Sequence, residues 1–504
     1  MGSQRQKRVA VVGGGPAGLA FLRVFKEFGL DWEVVLFEAR DEIGGVWYRA
    51  DDAQPDPERS KLPASPIYDS LTTNLPVNIM AFHDYQFPPG TELFPQAAVV
   101  QQYLLDFAED FHLRKFVQFL SRVEDASWRD GAWNIRVAGQ PEAQRFDHLV
   151  AANGHYNKPY QPDIPGLRDW AAVEGRNVMH STWYREPSPY AGKRVLVVGG
   201  GPSGRDLSAE IAQVALEAFH SVKGFGRSDI PNPKQRPAPA SFRAEGNGKV
   251  IYTDGSIDEA VDVVILATGY ELRLVHVFAD HLKGLKKTNQ RSSSVPFLSQ
   301  VIAQPQPPTS EEFPPHLWNS GAHIYPLAHH VFPISGDLPP SSIAFIGLPS
   351  YVAPFPLCEA QAAAAVHVFA NPKTFKTEQE KIWIEARNKD LRDIARRAGG
   401  DESRTVGRLW HRLLEAAQFE YRDELLRFAG VTKWLTDDWL PAMYAEKVVL
   451  RQEWGDAVRS GEGEDLVKDA RTKDDWYRVL LKLLDRAERR RKEVDSMLGG
   501  QTSA

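Results

Sequence analysis

The chain has 504 residues, of which 42% are hydrophobic, so it is long enough for two or three domains with sizeable cores. Its formal net charge of −6 gives no electrostatic support to a nucleic-acid partner. The single cysteine, Cys358, excludes a disulfide within the chain and fits a reducing compartment.

The N-terminal segment MGSQRQKR leads directly into a predicted strand and contains no apolar signal region. Gln6 stands where the myristoylation pattern requires Ser or Thr. No apolar run approaches the roughly 20 residues needed to cross a membrane. We therefore expect a cytoplasmic protein that has no membrane partner.

The first predicted element is a short buried strand, Val9 to Val12, followed by glycines at 13, 15 and 18 and a helix from about Leu19 to Phe28. Gly13 permits the tight turn, Gly15 lets the backbone approach a pyrophosphate, and Gly18 lets the helix pack on its strand. The positive end of the helix would face the phosphates. The pattern G-x-G-x-x-G, with a strand before it and a helix after it, predicts a dinucleotide site.

A second predicted strand, Glu33 to Phe37, leads to Glu38, which lies 20 positions beyond Gly18. An acid at this distance accepts a hydrogen bond from a ribose hydroxyl and repels a 2′-phosphate, so the site suits FAD or NAD. Gly45 and Trp47 follow in the stretch GGVW, whose glycines indicate backbone lying close against a ligand. The alternative for this stretch is a plain turn.

Apolar spacing and turn residues predict the elements that separate this pattern from a later repeat of it. They are a surface loop at Asp51–Pro66, an irregular aromatic segment at Tyr68–Pro89, a helix at Ala97–Phe111, a hairpin at Arg122–Val137 that turns at Asp130-Gly131, and a strand at Phe146–Ala152. Three prolines between residues 159 and 165 then mark an exit from the first domain.

The glycine pattern recurs in Arg194 to Gly204, with glycines at 199, 201 and 204 after a second apolar strand. Two dinucleotide sites in one chain predict two nucleotides. Ser203 falls at the start of the following helix, where it is expected to meet a pyrophosphate.

The residues beyond the next predicted strand distinguish the second site from the first. That strand, Phe219 to Phe225, leads to Arg227, which is 23 residues beyond Gly204. A guanidinium there pairs with a 2′-phosphate, and Ser228 beside it can donate to the same group, which favours NADPH. The alternative for Arg227 is a solvated surface charge.

The rest of the chain is predicted as a loop at Pro231–Gly248, a hairpin at Val250–Val261, a strand at Asp262–Gly269, a polar segment at Gly284–Pro315, a strand at Ser342–Gly347 and a helix at Leu357–Phe369. From Lys376 onward the chain is charged, helical and tryptophan-rich. The apolar stripe of Asp475–Leu498 predicts a packed helical cap, with a partner-binding helix as the alternative. No spacing typical of a metal site occurs, so no metal is expected.

Eight short motifs occur in an order that resembles the flavin-containing monooxygenases. They are GGGPAG at 13–18, GGVW at 44–47, LTTN at 71–74, NGH at 153–155, HSTWY at 180–184, GGGPSG at 199–204, LATGY at 266–270 and FIGL at 345–348. The resemblance covers roughly seven-tenths of the chain, from Val9 to about Ala364. The residues of stretches such as PYQPDIPGL are most similar to those of the fungal and yeast branch of the family.

The resemblance implies an α/β fold with two Rossmann-like dinucleotide-binding domains, for FAD and NADPH, and a C-terminal helical extension. The domains are expected at 1–168 (FAD, first part), 169–328 (NADPH, inserted), 329–375 (FAD, return segment) and 376–504 (helical region). The partners implied are a small-molecule amine or thioether and O2, and the oligomeric state stays open, a homodimer included.

The resemblance also implies the chemistry: NADPH reduces FAD, O2 adds at flavin C4a, and the hydroperoxide oxygenates amine nitrogen or thioether sulfur. By the resemblance Asn74 lies beside the flavin and NADP⁺ and orients the peroxide; from its own surroundings it would be a turn residue before Pro76. Thr268 and Tyr270 are implied at a strand end near the interdomain cleft. The turn at Leu357 is implied to face the pyrimidine end of the flavin.

One motif departs from the family fingerprint, which reads aromatic-x-G-x-x-x-H: Val173 replaces the aromatic, and Gly175 has one residue too many before His180. We expect His180 to support the linker between the domains rather than to act in catalysis. A Baeyer–Villiger monooxygenase is an alternative, although its usual His-x-x-x-Trp-Pro ending is His180 to Tyr184 and then Arg185 here. A redox-sensing flavoprotein and an NADPH oxidase also stay open, whereas a flavin disulfide reductase needs a second cysteine.

Overall fold

The computed structural model describes residues 5–49, 65–229, 232–272, 282–283, 313, 317–336, 338–399, 401–413 and 416–499. The predicted loop at 51–66 and the polar segment at 284–315 lie almost wholly outside these residues. None of the helices within the described residues is long and apolar enough to cross a membrane.

The strands in chain order are β1 (Arg8–Val12), β2 (Glu33–Phe37), β3 (Val117–Gln118), β4 (Val123–Arg129), β5 (Ala132–Val137), β6 (Gln144–Phe146), β7 (His148–Ala151), β8 (Asn177–His180), β9 (Arg194–Val198), β10 (Glu217–Ser221), β11 (Lys234–Arg236), β12 (Pro239–Arg243), β13 (Lys249–Tyr252), β14 (Ile257–Glu259), β15 (Val263–Leu266), β16 (Leu282–Lys283), β17 (Leu317–Asn319), β18 (Ile324–Tyr325), β19 (Leu327–Ala328), β20 (Phe332–Pro333) and β21 (Ile343–Phe345).

The α-helices are α1 (Pro16–Phe28), α2 (Val77–Met80), α3 (Ala97–Asp110), α4 (Leu167–Ala171), α5 (Pro202–Ile211), α6 (Pro354–Ala370), α7 (Thr377–Ala398), α8 (Glu402–Leu409), α9 (Ala417–Phe428), α10 (Leu440–Ala445), α11 (Lys447–Arg459), α12 (Gly463–Val467) and α13 (Lys473–Gly499).

Two parallel five-stranded sheets organise the molecule, in the orders β21-β7-β1-β2-β3 and β11-β10-β9-β15-β8. In each sheet the strand that precedes a glycine loop lies in the centre, with the next long strand on one side and a later strand on the other: Val12 pairs with Phe37, and Val198 pairs with Ser221. After its first residue, an arginine, each central strand is apolar and buried, as expected for parallel strands covered on both faces. Parallel strands end at one edge, so the loops that follow them converge there.

The sequence predicted the strand–turn–helix units and the β4–β5 hairpin, in which Trp128 pairs with Trp133. Two predictions were wrong. β10 ends at Ser221 rather than near Phe225, and the segment predicted as a loop from Pro231 to Gly248 contains β11 and β12. β11 pairs with β10 in parallel, a long-range contact that local composition does not encode.

The helical region after residue 376 does not form a separate core. Trp410, Trp434, Trp454, Trp476 and Leu480 belong to the same buried cluster as the first sheet and its helices α1 and α6. The second sheet has two smaller clusters of its own, one on each face. The predicted apolar stripe of α13 is therefore packed inward, as expected for a helical cap.

Candidate functional site

The first glycine loop is a turn with no space for side chains. Gly13 has φ +107°, and a Cβ there would lie 2.6 Å from the carbonyl oxygen of Ala152, at the end of β7. A Cβ on Gly18 would overlap the carbonyl oxygen of Gly13. The first turn of α1 contains no acidic residue, so its positive end is open to an anion.

Glu38 lies directly after β2, is 5% exposed, and faces the loop. Its Oε2 accepts a hydrogen bond from the backbone N–H of Gly14 at 2.7 Å, and its Oε1 accepts one from the N–H of Arg40 at 2.9 Å. A carboxylate offers about four acceptor positions, so each oxygen keeps capacity for a ribose hydroxyl. The N–H of Gly14 in the first glycine loop thus orients the carboxylate of Glu38.

Gly45 brings a second backbone segment against the first loop. It has φ +57°, and a Cβ on it would lie 2.7 Å from the Cα of Gly15. The N–H of Gly44 donates to the carbonyl oxygen of Gly14 at 2.9 Å. A short 3₁₀ turn, Gly45–Trp47, follows, and the half-buried Trp47 packs on the main core. The structure therefore brings Gly13, Gly15, Gly45 and Glu38 together.

The second glycine loop repeats this backbone. A Cβ on Gly199 would overlap the carbonyl oxygen of Ala267, and one on Gly204 would overlap that of Gly199. Gly201, in contrast, faces open space, since a Cβ there has no heavy atom within 4 Å. That space lies at the start of α5, where Ser203 is half-buried and no acidic residue occupies the first turn. The arrangement can accept a second pyrophosphate.

Val222 is the residue that takes the place of Glu38 in the second loop. It follows the last residue of β10, and its Cγ1 would lie 2.7 Å from a Cβ on Gly200, as Glu38 faces Gly14 in the first loop. Lys223, the next residue, is exposed. Sequence reasoning overlooked both because β10 was predicted to run on to Phe225. Had β10 been given the same length as β2, Val222 and Lys223 would have been the first residues after it, in the place that Glu38 takes after β2.

Arg227 and Ser228 lie further along, where the chain turns back beside β11. The guanidinium of Arg227 contacts Asp258 of β14 at 3.0 Å, and the same carboxylate also pairs with the buried Arg236. The backbone N–H of Ser228 donates to the carbonyl oxygen of Gln235 at 3.0 Å. The guanidinium of Arg227 is therefore already paired with Asp258, and this pairing competes with binding of a 2′-phosphate.

Asn74 lies in a bend between Thr73 and Leu75. It is exposed, whereas its neighbours Thr73 and Leu75 are buried. The hydroxyl of Thr73 donates to the carbonyl oxygen of Leu75 at 2.9 Å, which closes the turn beneath the amide. An amide in this position can donate and accept at once.

Three contacts join the segment before Asn74 and the interdomain linker to the outer face of α5. The hydroxyl of Tyr68 donates to Asp206 at 2.6 Å, the hydroxyl of Tyr184 donates to Glu210 at 2.7 Å, and Ser70 also bonds to Glu210. Burial, followed by the neighbouring carboxylates, raises the pKa of both tyrosines. Both tyrosines thus stay protonated and keep donating at neutral pH.

His180, Thr268 and Tyr270 lie where the neighbouring strands β8 and β15 of the second sheet end. His180 is 0% exposed; its Nδ1 accepts from the N–H of Thr182 at 3.1 Å and its Nε2 donates to the carbonyl oxygen of Gly269 at 3.0 Å. Burial lowers its pKa to about 4, so it is neutral and structural. Tyr270 packs edge-on against His180, and Thr268 donates to the carbonyl oxygen of Tyr160 at 2.6 Å.

Helix α6 begins at the same edge of the first sheet as the glycine loop. Leu357 in its first turn is 0% exposed and belongs to the main hydrophobic core. Gly347, after β21, approaches the Cβ of Ala17 in the first turn of α1, and its N–H donates to Gln361 of α6 at 2.8 Å. The starts of α1 and α6 are thereby held together.

Comparison with known proteins agrees with this geometry. Residues 6–227 match the family model described as flavin-binding monooxygenase-like. The chain is 27% identical over 495 residues to flavin-containing monooxygenase FMO GS-OX-like 9 of Arabidopsis thaliana, covering 92% of this chain and 95% of that protein. It is 27% identical over 371 residues to the thiol-specific monooxygenase of Saccharomyces cerevisiae, covering 72% and 77%. Among solved structures, S-allyl-L-cysteine S-oxygenase from Allium sativum matches with a TM-score of 0.71 and 25% identity, covering 96% of this chain and 99% of that one.

Proposed function

We propose that this chain, which belongs to the flavin-containing monooxygenase family, oxygenates a soft nucleophilic atom of a small molecule, with thioether sulfur ahead of amine nitrogen. The family uses FAD and NADPH, and the chain is accordingly an FAD-dependent, NADPH-consuming oxidoreductase. In the balanced reaction a thioether, O2, NADPH and a proton give the sulfoxide, water and NADP⁺. One oxygen atom forms the new S–O bond, and the other leaves as water with the two electrons of NADPH.

One observation carries the proposal: two equivalent glycine loops differ in the residue after the second strand. Buried Glu38 disfavours a 2′-phosphate at the first loop, whereas neutral Val222 and exposed Lys223 favour one at the second. The first loop therefore suits FAD and the second suits NADPH. The open space at Gly201 and the glycine contact of Gly15 and Gly45 fit pyrophosphates that lie against backbone.

We assign the following tasks to the residues of this chain. FAD, when bound, would supply the redox chemistry that activates O2. The N–H groups at the start of α1 hold its pyrophosphate, and Glu38 accepts from a ribose hydroxyl. Lys223 holds the 2′-phosphate of NADPH, with Arg227 as a second cation if it leaves Asp258. The exposed amide of Asn74 orients the reacting groups between the two cofactors.

The preference for sulfur comes from the names of two similar proteins, a thiol-specific monooxygenase and an S-allyl-L-cysteine S-oxygenase. Electrophilic oxygen transfer needs an accessible lone pair rather than a side-chain base, and the described part of the chain has no histidine, cysteine and carboxylate cluster suited to a metal. The exclusion of water and the orientation of the substrate are then the protein's contribution.

The test is to follow NADPH consumption, hydrogen peroxide and product for a thioether, a tertiary amine and a cyclic ketone. One sulfoxide formed per NADPH consumed, with little peroxide, supports the proposal. Peroxide equal to NADPH with every compound would mean an NADPH oxidase, and an ester formed from the ketone would mean a Baeyer–Villiger enzyme. An Asn74→Ala variant should keep its flavin but shift the electrons from product to peroxide.

A further inference from the structure

An aromatic and cationic cluster lies beside the cofactor loops and has no part in the assignments above. Tyr156 follows β7, Tyr351 follows β21, and Arg412 comes from the helical region. Because β7 and β21 are adjacent parallel strands, both tyrosines lie at the edge where the first glycine loop lies. Tyr156 is 48% exposed and Tyr351 is 55% exposed, so both rings are open to a ligand.

Tyr156 packs against aromatic neighbours on both sides. Its ring centroid lies 4.4 Å from that of His155. Tyr156 also packs edge-on against Tyr270, with ring centroids 5.5 Å apart. Tyr156 therefore connects this cluster to Tyr270, which follows β15 of the second sheet.

Tyr351 is held in a conformation that an aromatic residue rarely adopts. Its φ is +64°, in the left-handed region, where such residues stay only if their surroundings hold them. The hydroxyl of Tyr444 donates to its carbonyl oxygen at 3.0 Å. The preceding residue, Ser350, donates its N–H to the carbonyl oxygen of His411 at 2.8 Å and accepts from the N–H of Leu413 at 3.2 Å. The strained turn and the Arg412 segment are thus bonded to each other.

The turn that carries Arg412 is itself fixed from two sides. The partly buried guanidinium of Arg387 donates to the carbonyl oxygens of Trp410 at 2.5 Å and of Arg412 at 3.2 Å, which caps the end of α8. The Nε2 of His411 accepts from the N–H of Ile324 at 3.1 Å. A neutral His411 must then carry its proton on Nδ1, which lies 3.1 Å from the Nδ1 of His330. Such support fixes a functional side chain far better than a free loop does.

Among the described residues, the guanidinium of Arg412 has an aromatic contact but no anionic one. Its Cζ lies 3.6 Å above the ring of Tyr351. Its Nε is buried and has no hydrogen-bond partner, and no ion pair involves its side chain among the described residues. A partly buried guanidinium in this condition gains free energy from a carboxylate or a phosphate, which are the anions that arginine recognises.

We propose that Arg412 binds a carboxylate group of the substrate, while Tyr351 and Tyr156 contact its apolar part. This inference rests on the proposed function, because it narrows the soft nucleophile to an anionic one, such as a thioether acid. A phosphate of NADP is the other source of the same anionic chemistry, and the experiment separates the two.

The experiment uses the FAD-loaded enzyme and two probes with the same thioether, 3-(methylthio)propanoate and its neutral methyl ester. Isothermal titration calorimetry measures their affinities for the wild type, Arg412→Gln and Arg412→Lys. Arg408→Gln is the matched control, because it removes an exposed positive charge from the same helical segment. Unfolding temperatures establish that each variant is folded, and the KM for NADPH is measured in parallel.

We expect the wild type to bind the acid at least tenfold more tightly than the ester. Arg412→Gln should remove that difference, Arg412→Lys should restore part of it, and Arg408→Gln should leave it intact. Equal affinity of the wild type for acid and ester would overturn the inference. A loss of NADPH affinity in Arg412→Gln, with unchanged acid binding, would overturn it in favour of the cofactor phosphate.

Failure of the proposed function would look different. If the acid binds through Arg412 but every NADPH consumed yields peroxide, the result supports Arg412 as a carboxylate site and contradicts the proposed oxygenation. If sulfoxide forms from the acid and the ester with equal KM values, the result supports the proposed oxygenation and contradicts the role of Arg412.

Discussion

The two glycine loops share a backbone and differ in what surrounds it. In the first, Gly14 faces the buried carboxylate of Glu38; in the second, Gly200 faces the methyl groups of Val222. The glycines that set the turn make equivalent contacts in both loops, whereas the residue after the second strand differs. In the proposed assignment, the glycines allow a dinucleotide to bind, and the residues after the strand select which one.

The loops also differ in how they are covered. Helices from the C-terminal region share one core with the first sheet, whereas the second sheet has two small cores of its own. The first loop therefore adjoins the largest buried cluster of the described residues, and the second adjoins two smaller ones. A cofactor that stays bound suits the first environment, and one that exchanges in each cycle suits the second.

The largest expected effect comes from adding one methyl group where the loops have no space for it. Gly18→Ala would place a Cβ against the carbonyl oxygen of Gly13, and Gly204→Ala would do the same at Gly199. Each should lower the free energy of unfolding by about 3 kcal/mol or more, or prevent folding. Denaturant unfolding and flavin content measure the effect.

Gly201→Ala is the matched control for these two variants, because its Cβ would enter open space. Its free energy of unfolding should change by no more than about 0.5 kcal/mol, while its KM for NADPH rises. A stable, flavin-loaded Gly18→Ala protein would contradict the steric account of both loops.

Val222→Glu should make the second loop resemble the first, with a carboxylate after the strand that disfavours a 2′-phosphate. The new carboxylate would face the 2′-phosphate, so the KM for NADPH should rise about 30-fold or more relative to that for NADH, which corresponds to about 2 kcal/mol. Val222→Gln has nearly the same size without the charge and should change the ratio little. Steady-state kinetics with both nucleotides gives the comparison, and equal effects of the two substitutions would show that size rather than charge matters.

Lys223→Gln should raise the KM for NADPH about tenfold, or about 1.4 kcal/mol, and leave that for NADH unchanged. Arg227→Gln should do less, because the guanidinium of Arg227 already pairs with Asp258 at 3.0 Å. If Arg227→Gln had the larger effect, Arg227 would be the residue that recognises the 2′-phosphate, as the sequence alone predicts.

The smallest expected effect is a pH dependence of the unfolding free energy that arises from His180, at the end of β8. Burial lowers its pKa to about 4, while the unfolded chain takes up a proton near pH 6.5. The unfolded state therefore binds more protons below pH 6.5, and stability falls as the pH falls from 6.5 toward 4. Between pH 7 and pH 5.5 this residue should account for about 1 kcal/mol of the loss in unfolding free energy.

The check is denaturant unfolding of the wild type and His180→Gln at both pH values. The variant should be less stable at each pH but should lose about 1 kcal/mol less on acidification. An identical loss in both proteins would mean that His180 is not the group that titrates.

Much of the site could be predicted because its constraints are local. Gly13, Gly18 and Glu38 follow from one strand–turn–helix unit and the strand after it, so spacing alone identifies them. Val222 and Lys223 were overlooked because the apolar residues of β10 continue beyond the last paired residue, Ser221. Only pairing across the sheet defines where that strand ends.

Other features depend on contacts between residues far apart in the chain. Arg227 is paired by Asp258 from another strand, and Arg412 is presented by Arg387, His411 and the turn at Ser350. No motif marks such a residue, because its environment comes from three separate segments. Sequence patterns identify residues that bind common parts of cofactors, whereas residues that select a substrate depend on the tertiary fold.

The bonds from Tyr68, Ser70 and Tyr184 to the outer face of α5 have a mechanical consequence. They fix the helix that begins at the second loop to the segment that leads into the Asn74 turn. A rotation of the second domain would have to break at least the Tyr68 bond or carry the Asn74 turn with it. A movement of α5 relative to the first sheet would thus be coupled through these bonds to the position of the Asn74 turn.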